Sequence, residues 1–217
     1  MIDYAGRFFG GLAEREAGGD QALRPAPVFP AGQSLALSLD SKIRKSLAVV
    51  AYPTEDFWDI KRTRRLNILA DIFTERLRER VREKMGAAYS PFAYNHPYRA
   101  YPGFGIFQVY LNVDPRQARD LLGEVKGIAN RLAHAGIDAD EFRRALDPAL
   151  TRIKDLRQSN SYWLNSVLIG ASRHGDQLEW CRTIEKDYAG IRMDEIVNLA
   201  QHYLDNTKAA TILIAPQ

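Results

Sequence analysis

Apolar and polar positions change their rhythm several times along the chain, and each change marks an element. Leu35, Leu37 and Leu39 alternate with small or polar residues, the period-two pattern of a half-buried strand. Ser46 to Tyr52 is a second apolar run, closed by Pro53. From Ile60 to Met85 the period lengthens. Leu66, Leu69, Ile72 or Phe73, Leu77 and Val81 fall three or four residues apart, which predicts one long helix. Its length is roughly 25 residues, or about 37 Å. Gly86 stands where a left-handed cap belongs.

Ala87 to Tyr94 and Phe104 to Val113 read as strands around a turn-rich loop, Asn95 to Gly103. Asp114 and Pro115 suit the start of a helix carrying Leu121, Leu122, Val125, Ile128 and Leu132, which Gly136 ends. Asp138 opens another, to about Arg157, with Asp140 and Glu141 favourable in its first turn. Pro148 predicts a kink or irregularity within it. Ser161–Ala171, Leu178–Tyr188 and Met193–Tyr203 read as helices, and Thr211–Ile214 as a buried terminal strand.

The order is β-β-α-β-β-α-α-α-α-α-β. Strands in antiparallel-type runs, set apart from helices, predict an α+β fold: an antiparallel-rich mixed sheet with helices on one face. Residues 17–33 carry Gly18-Gly19, Pro25, Pro27, Pro30 and Gly32, the pattern of an extended linker. The helical piece before it is too short to bury a core. Residues 1–16 therefore read as the tail of a preceding domain, 17–33 as a linker and 34–217 as the main domain.

Composition narrows the function classes only a little. The 217 residues are 46% hydrophobic and 26% charged, ordinary for a soluble globular domain. Thirty basic against 27 acidic residues leave a net charge of +3, too small an excess to argue for nucleic acid. The lone Cys181 excludes an intrachain disulfide framework and any cysteine-based metal cluster, and beside Trp180 it reads as a buried structural thiol. No apolar run approaches the roughly 18 residues needed to cross a bilayer, so no membrane partner is expected. The first residues are not a signal peptide. The expected compartment is periplasmic if a signal precedes a missing N-terminal part, and otherwise cytoplasmic.

Candidate chemistry gathers at the end of the long helix. Arg82 lies in its last turn, and Tyr89 follows the glycine stop by two or three strand residues. Guanidinium and phenol are both hydrogen-bond donors at neutral pH. Aimed together at a peptide carbonyl, they would stabilise the oxyanion formed during hydrolysis. Either residue is also common at its position for structural reasons alone.

The segment Val81-Arg82-Glu83-Lys84-Met85-Gly86-Ala87-Ala88-Tyr89-Ser90, followed by Pro102-Gly103-Phe104-Gly105, resembles the pitrilysin/insulinase-type zinc peptidases, the inverzincins. Gly136 to Phe142, Asn160 to Leu164, the ending Tyr203 to Pro216 and the opening Phe8-Phe9-Gly10-Gly11-Leu12 fit the same pattern in the same order. The resemblance implies a repeated α+β architecture. It implies an N-terminal domain whose His-x-x-Glu-His and distal Glu bind zinc and activate water. It also implies a C-terminal domain whose Arg82 and Tyr89 hold the carbonyl of an extended peptide, which lies along a sheet edge as an added strand. The partners it implies are a peptide substrate and the zinc-binding domain of the same protein.

The chain departs from the family pattern at the metal. His96, His134, His174 and His202 are scattered, and no His-x-x-Glu-His runs in either direction. The reading is a C-terminal substrate-binding domain, with no cofactor of its own, inactive alone, and zinc in the missing N-terminal domain. One alternative is a catalytically dead family member acting as a structural or interaction subunit. A second is a basic nucleic-acid-binding module on the helix face from Lys61 to Lys84. Glu75, Glu79 and Glu83 interleave with those cations, and Asp56 and Asp59 offset the first of them, so a solvated, self-paired surface is expected. The aromatic loop Tyr94, His96, Tyr98, Tyr101 and Phe104 reads as a packed turn, or else as a wall of a peptide-binding chamber. Tyr162-Trp163-Leu164 reads as core packing.

Overall fold

The computed structural model describes residues 2–12, 25–85, 91–172 and 174–217, with backbone alone at 2 and 82–85. A short helix α1 (Ile2–Phe9) comes first, followed by strands β1 (Ser34–Leu39) and β2 (Ser46–Thr54). The long helix α2 (Ile60–Met85) leads to β3 (Phe92–Pro97) and β4 (Gly105–Val113). Helices α3 (Ala118–His134) and α4 (Ala139–Gln158) follow. A short turn α5 (Asn160–Tyr162), a π-helical stretch (Trp163–Leu168) and α6 (Ile169–Ala171) lead to α7 (Asp176–Ala189), α8 (Met193–Tyr203) and β5 (Ala210–Pro216).

The strands form one sheet in the order β1-β5-β2-β4-β3. Three pairings are antiparallel and one, β1 with β5, is parallel. This is the α+β, antiparallel-rich mixed sheet that the pattern predicts. The inward residues of β2 and β4 alternate strictly: Ala48, Val50 and Tyr52 face Phe107, Val109 and Leu111, all completely buried. Helices α2, α3 and α8 cover that face through Leu66, Leu69, Phe73, Leu77, Val125, Ile128 and Ile196. Each fully buried side chain of this size contributes about 1.5–3 kcal/mol, so the core lies between the sheet and one helical layer.

Several boundaries differ from the sequence expectation. Pro53 lies inside β2 and does not end it, opposite Ile106 of β4. It is tolerated because β5 pairs with β2 only through Ala51, so the proline's missing donor falls where no neighbour waits. Asn95 to Pro97 belong to β3 and not to the loop, paired with Phe107 to Gly105. Helix α3 starts at Ala118. Asp114 instead accepts from the Arg116 N–H at 2.8 Å in a turn before it. Asp138 caps α4 as expected, accepting from the N–H groups of Asp140 and Glu141 at 2.9 and 2.8 Å. Gly136, at φ 79°, follows the Ala135 cap of α3 and ends that helix as expected, in the conformation glycine alone adopts freely. Helix α4 runs through Pro148, and the departure from α-helical bonding comes later, at Trp163–Leu168. Tyr162 packs with Val167 and Cys181 in a small second cluster, whereas Leu164 is exposed.

Part of the basic face of α2 departs from the solvated surface expected, whereas Lys61, Glu75, Arg78, Glu79 and Arg80 are exposed. Arg64 is buried, donating to Asp187 at 2.9 Å and to the Trp180 carbonyl at 2.7 Å. Arg65 reaches Asp187 and Glu195. Arg76 holds Glu141 with two parallel bonds, Nε to Oε1 at 2.5 Å and Nη2 to Oε2 at 2.8 Å, and also the Gly136 carbonyl. These arginines tie α2 to α7, α8 and the start of α4. The Glu75–Arg78 pair and the pairing of Arg62 with Asp56 and Asp59 match the sequence expectation.

Candidate functional site

Arg82 falls in the last turn of α2, which Leu77 and Val81 seat in the core. Its side chain, and residues 86–90 with Gly86 and Tyr89, lie outside the described residues. The chain resumes at the buried Pro91 and enters β3 at Phe92. Of the two candidate positions, only the backbone of Arg82 is therefore placed, in the last turn of α2, the helix that leads into the first residues of β3.

Beyond that junction the sheet presents its second face, which no helix covers among the described residues. The pairing register sets its rows. Leu35, Ile212, Val49, Tyr110 and Phe92 form one, and Leu37, Ile214, Leu47 and Asn112 the next. Toward β3 the rows become aromatic. Phe92 and Tyr110 stack with ring centroids 5.5 Å apart and planes 5° from parallel, and Tyr94 stacks on Tyr110 at 5.6 Å. Cross-strand aromatic pairs of this kind stiffen a sheet.

Tyr94 and Tyr110 both donate to the Gln108 side-chain oxygen, at 2.9 and 2.6 Å. Burial, and then the neighbouring Tyr110, pushes the Tyr94 phenol up to about 12. It therefore remains a protonated donor throughout the physiological range. The patch can stack against an apolar side chain and offer hydrogen bonds beside it.

The aromatic loop divides between its two readings. Tyr98, Tyr101 and Phe104 pack on one another as a turn, with centroids 5.2 to 6.4 Å apart. Tyr94 and the exposed His96 stand on β3 itself. The turn is pinned to the β2–α2 connection by the Gly103 N–H donating to Asp56 and the Phe57 N–H donating to the Tyr98 carbonyl. Arg99 lies over the Phe57 ring at 3.9 Å. Phe92, Gln108 and Tyr110 were missing from the sequence-based candidates. Their alternation with buried residues was visible, but the row that joins them follows from strand order.

On the opposite, helical side a cavity of about 420 Å³ lies among Ile68, Ala149, Ile153, Leu156 and Tyr188. The Asp71–Arg152 pair, 2.6 Å apart, stands at its rim. Among the described residues, no group of three His, Cys, Asp or Glu side chains converges as a metal site. His96 sits on β3, His134 ends α3, His174 precedes α7 and His202 lies on α8, so the residues present do not fit a zinc centre.

Residues 1–148 match the model of the peptidase M16 inactive domain. The fold is similar to that domain from Pseudomonas fluorescens, with a TM-score of 0.72, 16% identity, and 89% of this chain and 46% of that one covered. It is similar to a protease from Helicobacter pylori, with a TM-score of 0.76, 14% identity, and 99% and 52% covered. It is also similar to the periplasmic protease PqqL from Escherichia coli, with a TM-score of 0.68, 13% identity, and 86% and 21% covered. The chain spans about half the length of the first two. By the match over residues 1–148, the chain belongs to the peptidase M16 family, the pitrilysin type, as a non-catalytic inactive domain.

Proposed function

We propose that this domain is the substrate-binding half of a zinc-dependent peptidase, with the metal held by another domain of the same protein. Residues 34–217 form the binding domain, 17–33 the linker, and 1–16 the tail of the domain before it. The observation that carries this reading is the inactive-domain match over residues 1–148, which includes the Arg82–Tyr89 segment and all of β3 and β4. Arg82 and Tyr89 donate to the carbonyl of the bond to be cut and stabilise its oxyanion. The Phe92–Tyr94–Tyr110 patch receives neighbouring side chains of an extended peptide.

Neither donor is a nucleophile or a base in this role, so the domain alone does not hydrolyse peptides. Arg82→Ala and Tyr89→Phe in the complete protein test the reading through kcat at unchanged metal content. Unchanged turnover would refute the clamp role, and no turnover by the complete native protein would favour the alternative of a catalytically dead structural subunit.

A further inference from the structure

The two edges of the sheet are built differently. At β3 the even-numbered residues pair with β4, and Ala93, Asn95 and Pro97 turn their main-chain groups outward. The Ala93 N–H donates to the Thr74 hydroxyl of α2 at 2.9 Å, and that hydroxyl also lies 3.3 Å from the Ala93 carbonyl. Pro97 has no N–H to offer. This edge is closed except at Asn95, so the added strand that the family resemblance implies has little to pair with there.

The β1 edge carries none of these devices. The Thr211 N–H donates to the Gln33 carbonyl at 2.9 Å, and the Gln217 N–H to the Leu39 carbonyl at 2.8 Å. By the alternation of the ladder, odd-numbered residues of β1 face β5, and Ser34, Ala36 and Ser38 turn N–H and C=O groups to solvent. Every residue of β1 is exposed, and Ser34 to Leu39 include no proline and no charge, the features that normally block an edge. Leu35, Leu37 and Leu39 are 51%, 43% and 54% exposed and continue the rows of the uncovered face. The turn after β1 holds Lys42, Arg44 and Lys45 against one acid, Asp40. All are exposed, and the three cations have no ion pair among the described residues.

We propose that β1 is a docking edge for an extended peptide substrate whose apolar residues alternate and whose end beside Lys42, Arg44 and Lys45 is acidic. Ser34, Ala36 and Ser38 supply main-chain hydrogen bonds, and the three leucines pack against its apolar side chains. The site rests on the peptide-handling reading above, but lies on the opposite edge of the sheet from β3, the strand that follows the Arg82–Tyr89 segment in sequence.

The test uses the chain itself and a fluorescein-labelled peptide of alternating valine and threonine with a run of glutamates at one end, made in both sequence orders. Fluorescence anisotropy is expected to show binding of one order, with slowed amide exchange at Ser34, Ala36 and Ser38. Replacing the glutamates by lysines, or N-methylating alternate peptide amides, is expected to weaken binding at least about tenfold. Ala36→Pro, which removes only an outward N–H, is expected to do the same, and Leu37→Lys substitutes for it if the proline variant does not fold.

Binding indifferent to these changes, or exchange protection elsewhere, overturns the proposal. So does concentration-dependent self-association that Ala36→Pro abolishes, because the occupant would then be a second copy. Loss of kcat in the Arg82 and Tyr89 variants is read separately, so either idea can fail alone.

Discussion

Glu141→Ala probes how α2 is held in place. Glu141 is 7% exposed and takes two bonds from Arg76, which is itself fixed by the Gly136 carbonyl. Removing one partner of a buried ion pair costs about 3–5 kcal/mol, because the other charge is left buried. Arg76 keeps Gly136, and its side chain is one-fifth exposed, so the lower end applies, about 3 kcal/mol. For a chain of this size that corresponds to about 6–12 °C in Tm. Urea unfolding followed by circular dichroism is expected to show a lower midpoint at an unchanged slope. An Arg76→Met, Glu141→Ala cycle should return a coupling of about 2 kcal/mol or more. A loss below about 1 kcal/mol would place the pair among ordinary surface salt bridges and refute the reasoning. Arg76 lies on the same helix as Arg82, so the variant should also raise amide exchange in the last turns of α2.

Two further outcomes follow from local geometry. A β-carbon at Gly105 would stand 2.0 Å from the Glu55 carbonyl oxygen, so Gly105→Ala is expected to cost about 1–3 kcal/mol by overpacking, measured by thermal unfolding. Hydrogen bonds from the Glu141 and Asp140 N–H groups hold the Asp138 carboxyl below its ordinary value of 3.8. A depressed folded-state pKa stabilises above the unfolded pKa, and the gain is lost as pH falls through the folded value. The stability of the native chain relative to Asp138→Asn is therefore expected to be constant at neutral pH and to shrink below about pH 4. A difference unchanged into acid would contradict that assignment.

Much of the fold was legible because the apolar rhythm is dictated by burial. Leu66, Leu69, Phe73, Leu77 and Val81 lie at helical spacing and are all buried, and the alternating β4 residues face the core in turn. What local pattern did not carry was long-range. Pro53 read as a strand end because its tolerance depends on where β5 begins, more than 150 residues later. Arg64 and Arg76 read as surface charges because Asp187 and Glu141, distant in sequence, are what bury them. The Phe92–Tyr94–Tyr110 patch required the β3–β4 register. The Arg82–Tyr89 pair was legible only through its resemblance to the family, since a cation near a helix end and a tyrosine entering a strand are common in any protein.

The most direct measurement is single-substrate kinetics of the complete protein with Arg82→Ala and Tyr89→Phe, alongside metal analysis. The account predicts a fall in kcat of about 10²-fold for each, the loss expected for one oxyanion donor, with zinc content unchanged. Turnover equal to the native protein in both variants would contradict it.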